Sequence, residues 1–277
     1  MEKITKELVA SFLIERKKDG SKIDFGHALI VAGETGKMGA AVISLRACLR
    51  TGVGLLTLNT PIEERQIVQI AIPEAMVVSR EGVNHNLNYF TAIGIGPGIG
   101  TQLATFDLLK SIVEKASSPI VFDADALNLI AKNDFINSIP KNSILTPHER
   151  EFDRLFGEHS NQESRIQTAI LQSKNLDCVI VLKSATTHII YHSEIYVHAI
   201  GNAGLAKGGS GDALTGIITS FLAQRYSSIN SAILGVYIHS LAADLTIENQ
   251  SVESMLITDI IENIGLAFKV IRQKNVE

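Results

Sequence analysis

Short apolar runs alternate with longer stretches of helical spacing from residue 28 onward, and this alternation restricts the possible folds more than any other feature. Ala28-Leu-Ile-Val-Ala32, ended by Gly33, has the pattern of a buried strand. Residues 38–50, rich in Ala and Leu and stopped by Thr51-Gly52, have that of a helix. Further strands are expected at 54–58, 75–78, 92–95, 120–122 and 143–145, with helices at 62–70, 103–115 and 126–132. Two parallel strands need a crossover long enough to hold a helix, so this rhythm predicts an α/β fold: a mostly parallel sheet with helices on both faces. Residues 179–182, 188–191 and 195–198 follow one another too closely for that. They predict an antiparallel edge hairpin with Ser193-Glu194 at its tip. The remainder reads as helices starting near Ser210, Ile229 and Ser254, and residues 4–14 suit an amphipathic helix. With no repeat, low-complexity tract or Pro-rich linker, one domain over residues 1–277 is expected.

Composition excludes several classes of function. Hydrophobic residues make up 45% and charged residues 19% of the 277, which excludes a disordered chain and leaves apolar surface to bury between subunits. The formal charge of −4 gives no general attraction to nucleic acid or acidic lipid. Apolar runs fall well short of the roughly 20 residues of a membrane helix, and the first residues carry charges where a signal peptide would be apolar. Cys48 and Cys178, far apart and without metal-ligand spacing, read as reduced core thiols, so a cytoplasmic protein is expected.

In a parallel sheet, ligands bind beyond the carboxyl ends of the strands, and there the glycines cluster. Gly201-Asn-Ala-Gly-Leu-Ala-Lys-Gly-Gly-Ser-Gly-Asp212 runs directly into a helical pattern. Gly208, Gly209 and Gly211 allow a tight path whose N–H groups converge at the positive end of a helix dipole, a nest for phosphate. Asp212 is out of place beside an anion unless it is a base, taking a proton from a hydroxyl that attacks phosphorus. A simple cap by Ser210 or Asp212 is the plainer alternative.

Gly33-Glu-Thr-Gly-Lys37 lacks the P-loop spacing, and Gly94-Ile-Gly-Pro-Gly-Ile-Gly100 does not fit the dinucleotide fingerprint, although both loops let backbone approach a ligand. The acidic residues Asp123 and Asp125, after the strand at 120–122, either hold magnesium through water or orient a substrate hydroxyl, or else one of them caps the next helix. Thr146, Pro147 and Glu149 have capping-box spacing, which leaves His148 to face the crevice. Lys183 suits a diphosphate, with Ser184 to Thr187 as further donors, and His239 reads as packed.

Taken together, AGETGKMGAA, GIGPGIG, DADALN, LTPHEREF, VLKSATT and GNAGLAKGGSGDALTG, in one order across residues 26–220, resemble the NAD(P)H-hydrate dehydratase family of the ribokinase superfamily, in its free-standing form without an epimerase domain. That resemblance implies a ribokinase-like three-layer αβα fold and a metabolite-repair lyase. ADP or ATP phosphorylates the C6 hydroxyl of the S form of NADH or NADPH hydrate, and phosphate then leaves to restore the dinucleotide. Asp212 would be the base, with the amides at Gly209 and Gly211 stabilising the phosphoryl group. Lys183, Ser184, Ala185, Thr186, Thr187 and Gly211 would bind the nucleotide. Ala41, Gly96, Gly98, His148 and Asp212 would line the hydrate site, and Glu149 or Glu151 would stand near Mg2+. A homotetramer without nucleic-acid or membrane partners is implied. Ser184, Ser240 and Ala243 stand where the family usually has glycine, and Ser21-Lys-Ile23 replaces its HKG-like run. The competing readings are a ribokinase-like kinase acting on a small vitamin-precursor alcohol and a nucleotide sensor without turnover.

Overall fold

Strand and helix alternate as the apolar runs require. A computed structural model describes residues 1–80 and 87–273. The first half holds β1 (Glu2–Lys3), α1 (Lys6–Phe12), β2 (His27–Val31), α2 (Met38–Arg50), β3 (Leu55–Thr60), α3 (Arg65–Ala71), β4 (Met76–Ser79), β5 (Ala92–Ile95), α4 (Leu103–Lys115), β6 (Ile120–Phe122) and α5 (Ala124–Lys132). Then come β7 (Ile144–Leu145), α6 (Glu149–Phe156), α7 (Gln162–Leu176), β8 (Val179–Leu182), β9 (Thr187–Tyr191), β10 (Glu194–His198), α8 (Ser210–Ala223), α9 (Ser228–Thr246) and α10 (Ile257–Arg272).

The strands form one sheet in the order β1-β10-β9-β8-β7-β6-β5-β2-β3-β4. Pairing from β8 across to β4 is parallel throughout, and β9 runs against both its neighbours. Side chains alternate between the faces. Ala28 and Ile30 pack with α2, α8, α9 and α10, whereas Leu29 and Val31 pack with residues of α4 to α7. These two apolar layers make the αβα sandwich, and the central strands are buried on both faces.

Two local expectations are corrected. Glu194 already pairs with Tyr191, so the hairpin tip is His192-Ser193, with His192 in the left-handed region at φ 53°. The hairpin also stops short of the sheet edge, because β1 adds a further short parallel strand to β10. Since β2 to β8 run the same way, their carboxyl ends bring residues 96–100, 123–125, 146–148 and 183–187 to one rim of the sheet.

Candidate active site

A cavity of about 980 Å³ opens at that rim beneath the start of α8, and Asp123, His148, Glu151, Lys183, Gly211 and Asp212 contribute to its wall. Gly209 enters α8 at φ 96° in the left-handed region, and no side chain caps the helix. The capping alternative for Ser210 and Asp212 therefore fails, and first-turn N–H groups are left facing the cavity end of the dipole. The Ser210 amide is already used, donating to Lys207 O at 3.3 Å. The preceding loop is shaped by Asn202, whose side chain accepts from Gly204 N and donates to Asp244 Oδ1 at 3.0 Å. Asp244 in turn accepts from Gly201 N.

Asp212 lies in the first turn of α8. Burial pushes its carboxyl up to about 6, Asp123 and Asp125 push the same way, and Lys183 opposes them. A carboxyl with its midpoint near 6 is ionised at neutral pH yet basic enough to accept a proton. Lys183, half-buried, and Asp123, fully buried, form an ion pair with Nζ at 2.8 Å from Oδ1. Burial works against the Lys183 charge, but Asp123, Glu151 and Asp212 outweigh it and hold the ammonium above its ordinary range. Burial likewise raises Asp123, and the opposing pull of Lys183, Thr215 and Thr146 wins, keeping it below the usual carboxylate range.

Asp123 neither caps α5 nor offers free oxygens to a cation. Its side chain makes no cap bond. Its Oδ1 also accepts from Thr146 Oγ1 at 2.9 Å, and its Oδ2 accepts from Thr215 Oγ1 at 2.8 Å. Asp125 accepts instead from Gly100 N at 2.9 Å, pinning the glycine loop to α5. The capping box also differs from expectation. His148, not Thr146, caps α6, with Nδ1 accepting from Arg150 N and Glu151 N and with Glu151 Oε2 accepting from His148 N. Thr146 is diverted because its buried hydroxyl reaches Asp123. Lys183 N donates to Pro147 O at 2.9 Å, which brings the His148 and Lys183 segments side by side.

Of the residues expected at the donor, Lys183, Ser184, Ala185, Thr187 and Gly211 line the cavity, and Thr186 and Gly209 do not. Of those expected at the hydrate, His148 and Asp212 line it. Ala41, Gly96 and Gly98 gather in an adjoining cluster, where Gly33 N donates to Pro97 O at 2.8 Å. Ala41 is fully buried there, so it packs beneath the loop rather than lining the cavity. Gly96 must be glycine: a Cβ would fall 1.7 Å from Asp123 O, at φ 138°.

Glu149 and Glu151 are two apart on α6 and so point away from one another. Glu149 lies 4.0 Å from Arg165 Nη1, whereas Glu151 is buried in the cap of its own helix. They do not fit a shared magnesium chelate, and among the described residues no group of three His, Cys, Asp or Glu side chains is placed to hold a metal ion. Sequence reasoning missed Thr146 and Thr215 as partners of Asp123. It also missed His198, buried in the cavity wall with both ring nitrogens unpartnered.

Comparison with known proteins places the chain in a family. The family model described as NAD(P)H-hydrate dehydratase matches residues 28–265. A bifunctional NAD(P)H-hydrate repair enzyme of Coxiella burnetii is 37% identical over 92% of the chain, which spans only 53% of that enzyme, about half its length. An ADP-dependent (S)-NAD(P)H-hydrate dehydratase of Enterococcus faecalis is 32% identical over 88% of this chain and 85% of its own. The solved structure of a ribokinase-like superfamily protein from the same bacterium superposes with a TM-score of 0.89, 29% identity and coverage of 99% of this chain and 97% of that one. The ADP/ATP-dependent NAD(P)H-hydrate dehydratase of Bacillus subtilis, co-crystallized with ATP/Mg2+, gives a TM-score of 0.85 at 28% identity, covering 98% of each chain. The fold is thus ribokinase-like, and the chain belongs to the NAD(P)H-hydrate dehydratase family.

Proposed function

We propose that the chain dehydrates the S form of NAD(P)H hydrate at the expense of ADP, restoring the reduced dinucleotide. The observation that carries this reading is a half-buried carboxylate, Asp212, in the first turn of an uncapped helix that shares one cavity with Lys183. Asp212 takes the proton of the C6 hydroxyl as that oxygen attacks the terminal phosphorus and AMP leaves. Gly211 and its neighbouring amide hold the phosphoryl oxygens, and Lys183 with Ser184 to Thr187 holds the donor. Hydroxide is a poor leaving group and phosphate a good one. The ring nitrogen lone pair then expels phosphate, and C5 gives up a proton to restore the double bond. His148, on the segment next to Lys183 in the cavity wall, suits orientation of the hydrate together with the adjoining Gly96–Gly98 loop.

Magnesium belongs to this reading as an ion carried on the donor's phosphates. Glu151 lines the cavity and Glu149 does not, so Glu151 is the carboxylate of the two that would stand nearer to it. The same reading includes ATP as an alternative donor, a single-domain homotetramer and a cytoplasmic setting. Two buried free thiols suit a reducing compartment. Among the described residues no helix is long and apolar enough to cross a membrane.

Incubation with hydrated NADH or NADPH and each nucleotide in turn tests the proposal. Return of the dinucleotide's near-ultraviolet absorbance, with AMP and phosphate formed from ADP, is the expected result. Accumulation of a stable phosphorylated alcohol would mark a ribokinase-like kinase instead, and donor binding without product would mark a sensor.

A further inference from the structure

Asp123 has no part in the chemistry above, yet it is 1% exposed and three side chains converge on it. Lys183 arrives from the end of β8, Thr146 from the end of β7, and Thr215 from the turn of α8 that follows Asp212. The pair stands directly under the phosphate nest. A Cβ on Gly211 would be 3.4 Å from Asp123 Oδ2 and 3.4 Å from Lys183 Nζ.

We propose that Asp123 is a positioning residue that anchors the Lys183 ammonium beside the nest and so keeps it from pairing with Asp212, leaving Asp212 free to accept the substrate proton. The inference rests on Asp212 being the base. A lone lysine in this wall would be drawn to the nearest carboxylate, and a salt-bridged Asp212 would be a weaker base and a poorer neighbour for a hydroxyl. Asp123 outcompetes it because two threonines fix its oxygens. The charged and titratable groups around Asp212 and Lys183 are Asp123 at the end of β6, Asp125 on α5, His148 and Glu151 at the start of α6, His198 at the end of β10, Lys207 before α8 and His239 on α9. Burial first, then His198 and Lys183, push His239 down to about 4, so it is neutral at working pH and adds no competing charge.

The pair itself carries no net charge before donor arrives, so removing the Asp123 charge has opposite effects on binding and on turnover. In Asp123→Asn, the freed ammonium attracts phosphate at least as well as before, while Asp212 loses its repelling neighbour and gains a cation. ADP affinity by calorimetry should hold or tighten, whereas turnover should fall at least tenfold (on the order of the loss expected when a base is mispositioned). The Asp212 titration, followed by carbon NMR of the side-chain carboxyl, should move down by about one pH unit. Lys183→Met, read in the same way, should move it up, and it keeps the test alive if the asparagine variant does not fold.

An unmoved Asp212 titration in either folded variant, or a parallel fall of ADP affinity and turnover in Asp123→Asn, would reduce Asp123 to scaffolding and overturn the proposal. The NMR and calorimetric readouts need no turnover. A wild-type protein inactive on NAD(P)H hydrate would therefore sink the functional reading while the role of Asp123 was still decided.

Discussion

Burial lifts Asp212 to about 6, with a sign that differs for activity and for stability. A base works only when ionised, so turnover should rise through pH 6 and level off above it. Asp212→Asn should lower turnover by roughly 10²–10⁴-fold with donor affinity kept. A carboxyl whose folded midpoint exceeds its unfolded one favours folding only while protonated. Its contribution is full below the ordinary carboxylate range and is lost as pH rises through about 6. At pH 8 the asparagine variant should therefore be the more stable protein, by about 1–3 kcal/mol, and at pH 4 the gain should vanish in thermal melts. Asp212 was legible in the sequence because a carboxylate beside a glycine nest breaks a local electrostatic rule. The hold on Asp123 was not, since its partners lie 23, 60 and 92 residues away. Thr146 looked like a cap because local spacing is all a sequence shows, and burial then gave its hydroxyl a better partner.

The nest at the start of α8 is held in place by the packing of that helix on α2. Gly216 makes the contact possible: a Cβ there would sit 2.1 Å from Ser44 O and 3.1 Å from Cys48 N, both rigid backbone atoms. Ser44 also donates to Asp212 O at 2.9 Å, so separating the helices disturbs the turn that carries Asp212. Gly216→Ala should cost about 1–3 kcal/mol of stability, seen as a lower urea midpoint, and should depress turnover more than donor binding. Elements such as α2, β5, α4 and β6 could be read because their apolar spacing is clean and glycine, proline or aspartate ends them. By contrast α7 was missed. Its buried positions include Ile166 and Ala169 while Leu171 is exposed, so its pattern carries little periodicity. The two residues of β1 are too few to carry any pattern, and only pairing with β10 makes them a strand.

Over the whole molecule, donor binding should register as added stability because the cavity wall joins the ends of β6, β7 and β8 to α8 and α9, elements far apart in sequence. At ADP a hundredfold above its dissociation constant, the gain is about 2.7 kcal/mol. For a chain of this size that is an upward shift of several degrees in melting temperature, which Lys183→Met should largely abolish. An unshifted wild-type melt at saturating ADP would count against a donor site in this cavity. The anchoring carboxylate receives one bond from a residue 60 positions later and another from one 92 positions later, the second on a helix that follows every strand of the sheet. During synthesis on the ribosome that carboxylate therefore stays incompletely held until residue 215 has emerged and α8 has docked, so the finished cavity wall is a late product of folding that a half-made polypeptide lacks.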